Sequence, residues 1–186
     1  MTDHRALVRL LAERSVKQGS FTLASGKQSH WYIDARLTTM SPEGLSLIGP
    51  LGLARLHESG WMVDAVGGLT LGADPISYAI SYASAALPKP LRAFTVRKEP
   101  KAHGTGRRIE GPFIEGDQVA VIEDVITTGG SALRAIDAVR AANGTVAGVL
   151  ALVDRDEGGR EAIEKTGTPV ISLVTAHDLL SSLSAR

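Results

Sequence analysis

The sequence predicts an α/β fold in which helices flank a parallel sheet and a small N-terminal hood precedes the sheet. Two observations predict this fold. From about residue 61 onward, short apolar segments alternate with segments of helical periodicity. The apolar segments are continuous runs, a pattern typical of parallel strands that helices cover on both faces. We expect a single domain over residues 1–186, with the hood at about 1–40 and the core at about 41–186.

The N-terminal region predicts one helix and one hairpin. Leucines at helical spacing indicate an amphipathic helix over residues 4–17, closed by Gly19. Two short extended runs follow at Phe21–Leu23 and Trp31–Ala35, and the pair Ser25–Gly26 indicates the turn between them. This hairpin would form the hood.

The core begins with a helix and then alternates strands and helices. Ser41 is a favoured N-cap and Pro42 a favoured first-turn residue, so a helix should begin here and end at Gly60. A strand at WMVDAVGG and a helix that starts at Asp74–Pro75 come next. The remaining core elements are predicted in this order: strands LRAFTVRK and QVAVIED, helix SALRAIDAVRAAN, strand TVAGVLALVDRD, helix GREAIEKTG, strand PVISLV and a short last helix.

Charge and composition argue against several classes of protein. Lys plus Arg equal Asp plus Glu at 20 each, whereas a nucleic-acid binder normally carries a basic excess, so no nucleic-acid partner is expected. The N-terminal residues contain no apolar stretch of signal-peptide or membrane-span length, so neither export nor a membrane location is expected. The chain contains no cysteine, which fits a reducing compartment, and we expect a cytoplasmic protein.

Two adjacent carboxylates, Glu123 and Asp124, end a predicted strand and precede the Thr127–Ser131 loop. In parallel sheets, ligands collect at the carboxyl ends of strands. A Thr/Gly/Ser loop at a helix N-terminus offers backbone amides and hydroxyls that suit a phosphate. Carboxylates beside it suit ribose hydroxyls or a bridging Mg²⁺, so a phosphorylated ribose would satisfy both halves. A strand with a solvated end and a capped helix is the alternative, and local physics leaves both open.

The segment VAVIEDVITTGGSA resembles the phosphoribosyl pyrophosphate (PRPP) signature of type I phosphoribosyltransferases. FTLASGK, GGLTLGADP, VRKEPKAHG and LVDR are similar to segments of the orotate phosphoribosyltransferase family, and the resemblance spans about Phe21 to Asp178. It implies a type I phosphoribosyltransferase-like sheet with a hood. It also implies that PRPP is bound by Glu123, Asp124, Val125, Ile126, Thr127, Thr128, Gly129, Gly130 and Ser131.

Four basic residues, Arg97, Lys98, Lys101 and His103, lie within seven positions of a polar, Gly/Pro-rich segment. Taken alone, they indicate either a loop that closes over a polyanion or an ordinary solvated loop. The resemblance implies that all four bind PRPP and that Lys101 and His103 are catalytic together with Asp124. It also implies a homodimer in which the 98–111 loop of one subunit acts on the site of its partner.

The orotate end of the site is predicted from three residues. The resemblance implies that Thr127, Arg155 and Tyr32 contact orotate, and a guanidinium suits a planar carboxylate because it can bind it bidentately. Taken alone, Arg155 is more typical of a surface salt-bridge partner, whereas Tyr32 is equally typical of a hairpin core.

Two positions depart from the family pattern. Some relatives carry lysines where this chain has Ala24 and Leu71, so neither lysine role carries over. Backbone amides of Gly67–Gly72 would then hold pyrophosphate, which is a hypothesis.

The resemblance implies transfer of phosphoribosyl from PRPP to N1 of orotate, with Mg²⁺ reaching the site on PRPP and no dedicated protein metal ligands. Three alternatives stay open. The same fold could act on another base, although Arg155 and the FTLASGK hood favour orotate. A PRPP-sensing regulator would normally need a nucleic-acid-binding surface, and the retained Lys101 and His103 argue against it. A purely structural subunit leaves the coincidence of three motifs unexplained.

Overall fold

A six-stranded sheet and a separate two-stranded hairpin organise the chain. The computed structural model describes residues 2–22, 28–99 and 108–184. Its strands are β1 Val16–Thr22, β2 Gln28–Ile33, β3 Ala65–Leu69, β4 Arg92–Val96, β5 Ile109–Glu110, β6 Gln118–Ile126, β7 Thr145–Asp154 and β8 Val170–Thr175. Its helices are α1 Thr2–Arg14, α2 Arg36–Thr39, α3 Pro42–Glu58, α4 Ala73–Ala83, α5 Gly130–Ala141, α6 Gly159–Glu164 and α7 Ala176–Ser184.

The large sheet has the strand order β5-β4-β3-β6-β7-β8. Five of these strands are parallel, which confirms the predicted parallel sheet. The short edge strand β5 is antiparallel to β4 and lies within the segment that the sequence predicted as a loop. Because the five parallel strands point the same way, all their carboxyl ends meet at one edge of the sheet.

The sheet is buried on both faces, which explains the continuous apolar runs. Within β6, Val121 packs into the core of one face and Ile122 into the core of the other, and both are fully buried. Helices α1, α3, α4 and α7 cover the Ile122 face, whereas α5 and α6 cover the Val121 face. Strands with two apolar faces lack the alternation of a half-exposed sheet.

The hood hairpin forms as predicted, but it begins earlier. Helix α1 ends at Arg14, so the predicted helical boundary near Gly19 is wrong. The reason is tertiary: Val16 pairs with Ile33 of β2, and the buried Ser15 hydroxyl lies 2.7 Å from that of Thr38. The predicted turn and the end of the first run, residues 23–27, lie outside the described residues.

The predicted start of α3 is confirmed. Ser41 Oγ accepts a hydrogen bond from the backbone N–H of Gly44 at 3.0 Å, and Pro42 is the first helical residue. The helix ends at Glu58, before Gly60, which has a φ of +72°.

Close packing between α3 and α4 predicts whether alanine in place of Gly49 stabilises or destabilises the fold. A Cβ atom at Gly49 would lie 2.6 Å from the carbonyl oxygen of Ala79 on α4. Gly→Ala in a helix normally stabilises by about 1 kcal/mol. We expect Gly49→Ala to lower the free energy of unfolding by about 1–3 kcal/mol instead, because α4 must move.

Urea denaturation measures this change. Ser46→Ala, at an exposed position of the same helix, is the matched control and should be neutral or stabilising. A higher free energy of unfolding for Gly49→Ala would show that the two helices do not pack at this distance.

Candidate active site

A cleft of about 620 Å³ opens at the carboxyl edge of the sheet. The hood supplies residues 32–36 to one wall, and the connection after β3 supplies residues 69–72. The floor is residues 123–131, from the end of β6 through the loop before α5. Lys98, Arg134 and Arg155 complete the lining.

The acidic pair lies inside β6 and does not end it. The strand continues to Ile126 because Val125 and Ile126 pair with Val153 and Asp154 of β7, so the predicted strand end at Asp124 is wrong. The side chain of Glu123 is buried, and its Oε2 atom has no hydrogen-bond partner among the described residues. A buried polar oxygen without a hydrogen bond is costly, so a ligand hydroxyl that reached it would supply a missing partner.

Burial raises the pKa of Glu123 well above its ordinary value of 4.5, and the negative charge of Asp124 raises it further. The charge of Arg134 acts in the opposite direction. Desolvation disfavours the charged carboxylate, and a neighbouring like charge adds to that penalty. The raised pKa favours the neutral form of Glu123, which reduces its repulsion of a polyanionic ligand.

Asp124 is held against the loop after β3. Its Oδ1 atom accepts a hydrogen bond from the N–H of Val125 at 2.9 Å. A Cβ atom at Gly72 would lie 2.5 Å from Asp124 Oδ2, so only glycine lets the loop approach the carboxylate this closely. The two carboxylates and the residue 69–72 connection thus form one continuous surface.

The Thr127–Ser131 loop turns into α5 at Gly129. This residue has a φ of +80°, which favours glycine, and a Cβ atom there would lie 2.8 Å from the carbonyl oxygen of Gly159. Helix α5 begins at Gly130, and the first N–H groups of a helix lack partners within the helix. The loop therefore places backbone amides, hydroxyls and the positive end of the helix dipole in the cleft.

Arg134 is a cation of this site that sequence reasoning missed. It lies on the first turns of α5, and its Nη2 atom donates a hydrogen bond to Ser131 Oγ at 3.2 Å. Side chains on a helix lean toward its N-terminus, so a basic residue three positions after the last residue of a phosphate loop is the signal that could have indicated it.

Arg155 follows β7 at the opposite wall, where three contacts from the chain fix it. Its guanidinium stacks 4.0 Å from the ring centroid of Trp31, and Nη2 donates to Ser29 Oγ at 3.2 Å. Nε donates to Glu157 Oε1 at 2.9 Å. Only 5% of Arg155 is exposed, so its ion pair with Glu157, in which Nη2 lies 2.7 Å from Oε1, is largely buried, and Arg155 also ties the hood to the sheet.

Tyr32 contributes an aromatic ring near this cation. The ring is 39% exposed, lines the cleft and contacts Phe21 with a centroid separation of 5.7 Å. Tyr32 thus packs against Phe21 within the hairpin and remains accessible to a ligand. A hairpin core position and a ligand contact are therefore compatible for this residue.

The cleft contains a second feature that the sequence did not indicate. Arg36 donates to both oxygens of Asp34, from Nε at 2.8 Å and from Nη2 at 3.0 Å. The hydrogen bond from Arg36 lowers the pKa of Asp34. Because Asp34 uses one edge of the guanidinium, the rest of Arg36 stays directed along the cleft wall.

The four basic residues predicted at positions 97–103 do not all lie in the cleft of the described structure. Lys98 lines the cleft. Arg97 lies 3.6 Å from Glu110 in an exposed ion pair and lines an adjoining hollow, so the structure does not bring it into the cleft. Lys101 and His103 lie outside the described residues, as does Ala24. Leu71 lines the cleft and is 52% exposed.

The described part of the chain contains neither a cluster of metal-binding side chains nor a membrane-spanning helix. Within residues 2–22, 28–99 and 108–184, no group of three or more His, Asp or Glu side chains is arranged to hold a metal ion. No helix in this described part of the chain is long and apolar enough to cross a membrane.

The raised pKa of Glu123 predicts a pH-dependent stability. The folded chain holds this proton more tightly than the unfolded chain, so the free energy of unfolding falls as pH rises above the ordinary value. Glu123→Gln removes the titration. We expect the variant to unfold at a higher temperature than the parent at about pH 8, with the difference shrinking toward about pH 5.

Differential scanning calorimetry measures the effect. Each pKa unit corresponds to about 1.4 kcal/mol, and 1 kcal/mol moves Tm by about 2–4 °C in a chain of this size. Glu58→Gln, at an exposed surface pair, is the control and should show no comparable dependence on pH. A Glu123→Gln variant less stable than the parent at every pH would contradict the assignment.

Comparisons with known proteins cover nearly the whole chain. No family model matches it. The orotate phosphoribosyltransferase of Aquifex aeolicus is 49% identical over 183 residues, which are 97% of this chain and 99% of that protein.

Solved structures agree with this match. The orotate phosphoribosyltransferase of Mycobacterium tuberculosis H37Rv, in complex with Fe(III) dicitrate, superposes with a TM-score of 0.83 at 43% identity, over 95% of this chain and 98% of that one. The same enzyme in complex with PRPP gives a TM-score of 0.78 at 36% identity, over 96% and 92%. Identity and coverage at these levels identify the chain as a member of the orotate phosphoribosyltransferase family.

Proposed function

We propose that the chain transfers the 5-phosphoribosyl group from PRPP to N1 of orotate, releasing pyrophosphate and forming orotidine 5′-monophosphate for UMP biosynthesis. One observation carries the proposal beyond the family match. The acidic pair and the phosphate loop line the same cleft as Arg155 and Tyr32. A single cavity therefore offers a seat for a phosphorylated ribose next to a fixed cation and an aromatic ring.

PRPP is placed by its 5′-phosphate and its ribose. The phosphate would bind the Thr127–Ser131 loop, where backbone amides, hydroxyls and the guanidinium of Arg134 converge. The ribose hydroxyls would then donate to Glu123 and Asp124, and Glu123 Oε2 is an unused acceptor. The solved PRPP complex of the M. tuberculosis relative supports this substrate.

The diphosphate end would lie toward residues 70–72 and Lys98. Lys101, His103 and Arg97 are proposed to join them when the 98–111 segment closes, and closure would exclude water from the reaction. The carboxylates of the cleft are hard oxygen ligands of the kind that Mg²⁺ prefers, and we propose that the ion arrives on PRPP. When bound, it would neutralise part of the charge on the diphosphate.

Orotate would lie between Tyr32 and Arg155, with Thr127 at its edge. Glu157 Oε1 contacts both Nε, at 2.9 Å, and Nη2, at 2.7 Å, of the Arg155 guanidinium. The remaining Nη1 side, for which the structure gives no hydrogen bond, is therefore the side that would receive the orotate carboxylate. Its position is preset by Trp31 and Ser29, so little side-chain entropy is lost on binding.

The chemical step breaks the bond between ribose C1 and the diphosphate oxygen, whose electron pair stays with pyrophosphate. N1 of orotate forms the new bond to C1, and its proton passes to solvent or to the departing pyrophosphate. Asp124 is proposed to stabilise the positive charge that develops on the ribose, while Lys101 and His103 stabilise the negative charge on the leaving group. Electrostatic stabilisation of this kind is usually the largest catalytic term.

A homodimer and a cytoplasmic location are parts of the same proposal. Tyr78 and Tyr82 lie on one face of α4 and are 53% and 85% exposed, and Leu71, which lines the cleft, is also exposed. An exposed apolar surface supports a partner subunit beside the site. The absence of cysteine is compatible with the cytoplasm.

The experiment that tests the function follows the ultraviolet absorbance of orotate mixed with the purified protein, PRPP and Mg²⁺. We expect a loss of orotate absorbance that needs every component and reverses when pyrophosphate is added to the product. No change with orotate, together with turnover of uracil or a purine base, would assign the fold to another base. Binding of PRPP without turnover of any base would favour a regulator.

Arg155→Gln tests the orotate end. It removes the fixed cation, and a charge-assisted hydrogen bond contributes about 1.5–3 kcal/mol. We therefore expect the KM for orotate to rise by about 10- to 100-fold while the KM for PRPP changes little. Arg160→Gln is the control, because Arg160 pairs with the buried Asp154 outside the cleft, and it should lower stability without this selectivity. Equal increases in both KM values would remove Arg155 from the orotate site.

Lys101→Ala and Asp124→Asn test catalysis and the shared site together. Each should lower kcat by about 10²- to 10³-fold. If the loop serves the partner's site, a mixture of the two variants forms hybrid dimers with one intact site each, and about a quarter of the parental activity should return. Size-exclusion chromatography with light scattering checks that dimers form. A dimeric mixture that stays inactive would show that each loop acts on its own subunit.

A further inference from the structure

A buried carboxylate that the proposed reaction does not use lies directly behind the cleft. Asp74 is in the first turn of α4 and is 8% exposed. Its Oδ2 atom accepts a hydrogen bond from Thr70 Oγ1 at 2.6 Å, and its Oδ1 atom accepts one from Thr95 Oγ1 at 2.8 Å. Asp74 therefore connects the loop after β3 to the neighbouring strand β4.

The hydrogen-bond directions in this group are determined. The hydroxyl of Tyr78 lies 2.9 Å from Thr95 Oγ1. Because the single hydroxyl proton of Thr95 goes to Asp74, Tyr78 donates to Thr95. Hydrogen bonds to a carboxylate are shorter and stronger than those between neutral groups. The two threonines are thus fixed by one acceptor.

Both connected elements supply the same end of the cleft. Thr70 begins the residue 70–72 loop, whose Gly72 lies against the carboxylate of Asp124. Thr95 lies on β4, and Lys98, three residues further along, also lines the cleft. The position of Asp74 therefore sets the distance between the 70–72 loop and the strand that carries Lys98.

We propose that Asp74 is a positioning residue for the pyrophosphate half of the substrate, an inference that rests on the proposed function. It holds the 70–72 loop and the end of β4 at the separation that the diphosphate spans. Within the described part of the chain, the hydrogen bonds given for Asp74, Thr70, Thr95 and Tyr78 do not reach the phosphate loop or the orotate end. A purely structural acidic residue at a helix N-terminus would affect stability without favouring one half of the substrate.

The reverse reaction separates the two halves, because pyrophosphate and orotidine 5′-monophosphate are then different substrates. Asp74→Asn keeps the shape of the side chain but leaves one threonine hydroxyl without an acceptor. We expect the KM for pyrophosphate to rise by about tenfold, while the KM for orotidine 5′-monophosphate stays within about twofold. Equal increases in both KM values would overturn the proposal. A lower Tm with no change in either KM would overturn it as well.

Asp117→Asn is the matched control. Asp117 is also buried, accepts a hydrogen bond from Arg92 Nη2 at 2.6 Å, and precedes β6 at the end away from the cleft. This variant should lower stability without changing the ratio of the two KM values. If Asp117→Asn changed the ratio of the two KM values as much as Asp74→Asn does, loss of stability alone would explain the effect of both variants.

A second variant keeps the test independent of Asp74 itself. Thr95→Val removes the hydroxyl and should reproduce the rise in the KM for pyrophosphate. Thr95→Ser keeps the hydroxyl and should behave as the parent. A Thr95→Val variant with an unchanged KM for pyrophosphate would overturn the proposal.

Calorimetry distinguishes a failure of this inference from a failure of the proposed function. If the parent turns over no orotate, the proposed function fails, and binding of Mg²⁺-pyrophosphate and of ribose 5-phosphate still tests Asp74. We expect Asp74→Asn to weaken pyrophosphate binding by about tenfold and to leave ribose 5-phosphate binding unchanged. Parental protein that binds no pyrophosphate would overturn the inference as well.

Discussion

The site depends on the pairing of the last residues of β6 with β7. Glu123 pairs with Ala151 of β7, and Val125 and Ile126 stay in the sheet opposite Val153 and Asp154, so β7 holds the backbone of the acidic pair on one side. The same pairing brings Arg155 beside Ile126, whose carbonyl oxygen accepts a hydrogen bond from the N–H of Arg155 at 3.1 Å. Rigid strands fix catalytic groups more accurately than loops do.

Charge balance is the second constraint on the site. A polyanionic substrate would be repelled by two ionised carboxylates, yet its ribose needs acceptors. Burial of Glu123 reduces the conflict, because the raised pKa favours the neutral form of this side chain. Four cations that line the cleft, namely Arg36, Lys98, Arg134 and Arg155, oppose the remaining negative charge. In the proposed complex, Glu123 and Asp124 would face the ribose hydroxyls, and the cations would face the phosphates and the orotate carboxylate.

Local patterns in the sequence predicted most of the fold and the centre of the site. The Ser41 cap, the apolar strands and the Thr127–Ser131 loop each depend on neighbouring residues, and the structure places them as expected. Contacts between distant residues could not be read from one segment. Arg155 was recognised, but its stacking on Trp31 required the hood and the sheet to meet.

The same limit explains what sequence reasoning missed. Asp74 is typical of a helix start, and only the strand that brings Thr95 beside it reveals a second contact. Helix α1 was predicted too long because its end depends on the pairing of Val16 with Ile33. Arg97 lies beside Lys98 in sequence, but it forms an exposed ion pair with Glu110 and lines a hollow next to the cleft, which the sequence did not indicate.

A crystal structure with bound orotidine 5′-monophosphate would show directly whether one ligand spans the phosphate loop and the hood. We expect the phosphate on the Thr127–Ser131 loop, the ribose hydroxyls on Glu123 and Asp124, and the base between Tyr32 and Arg155. A phosphate bound elsewhere, or a base that contacts neither Tyr32 nor Arg155, would contradict it.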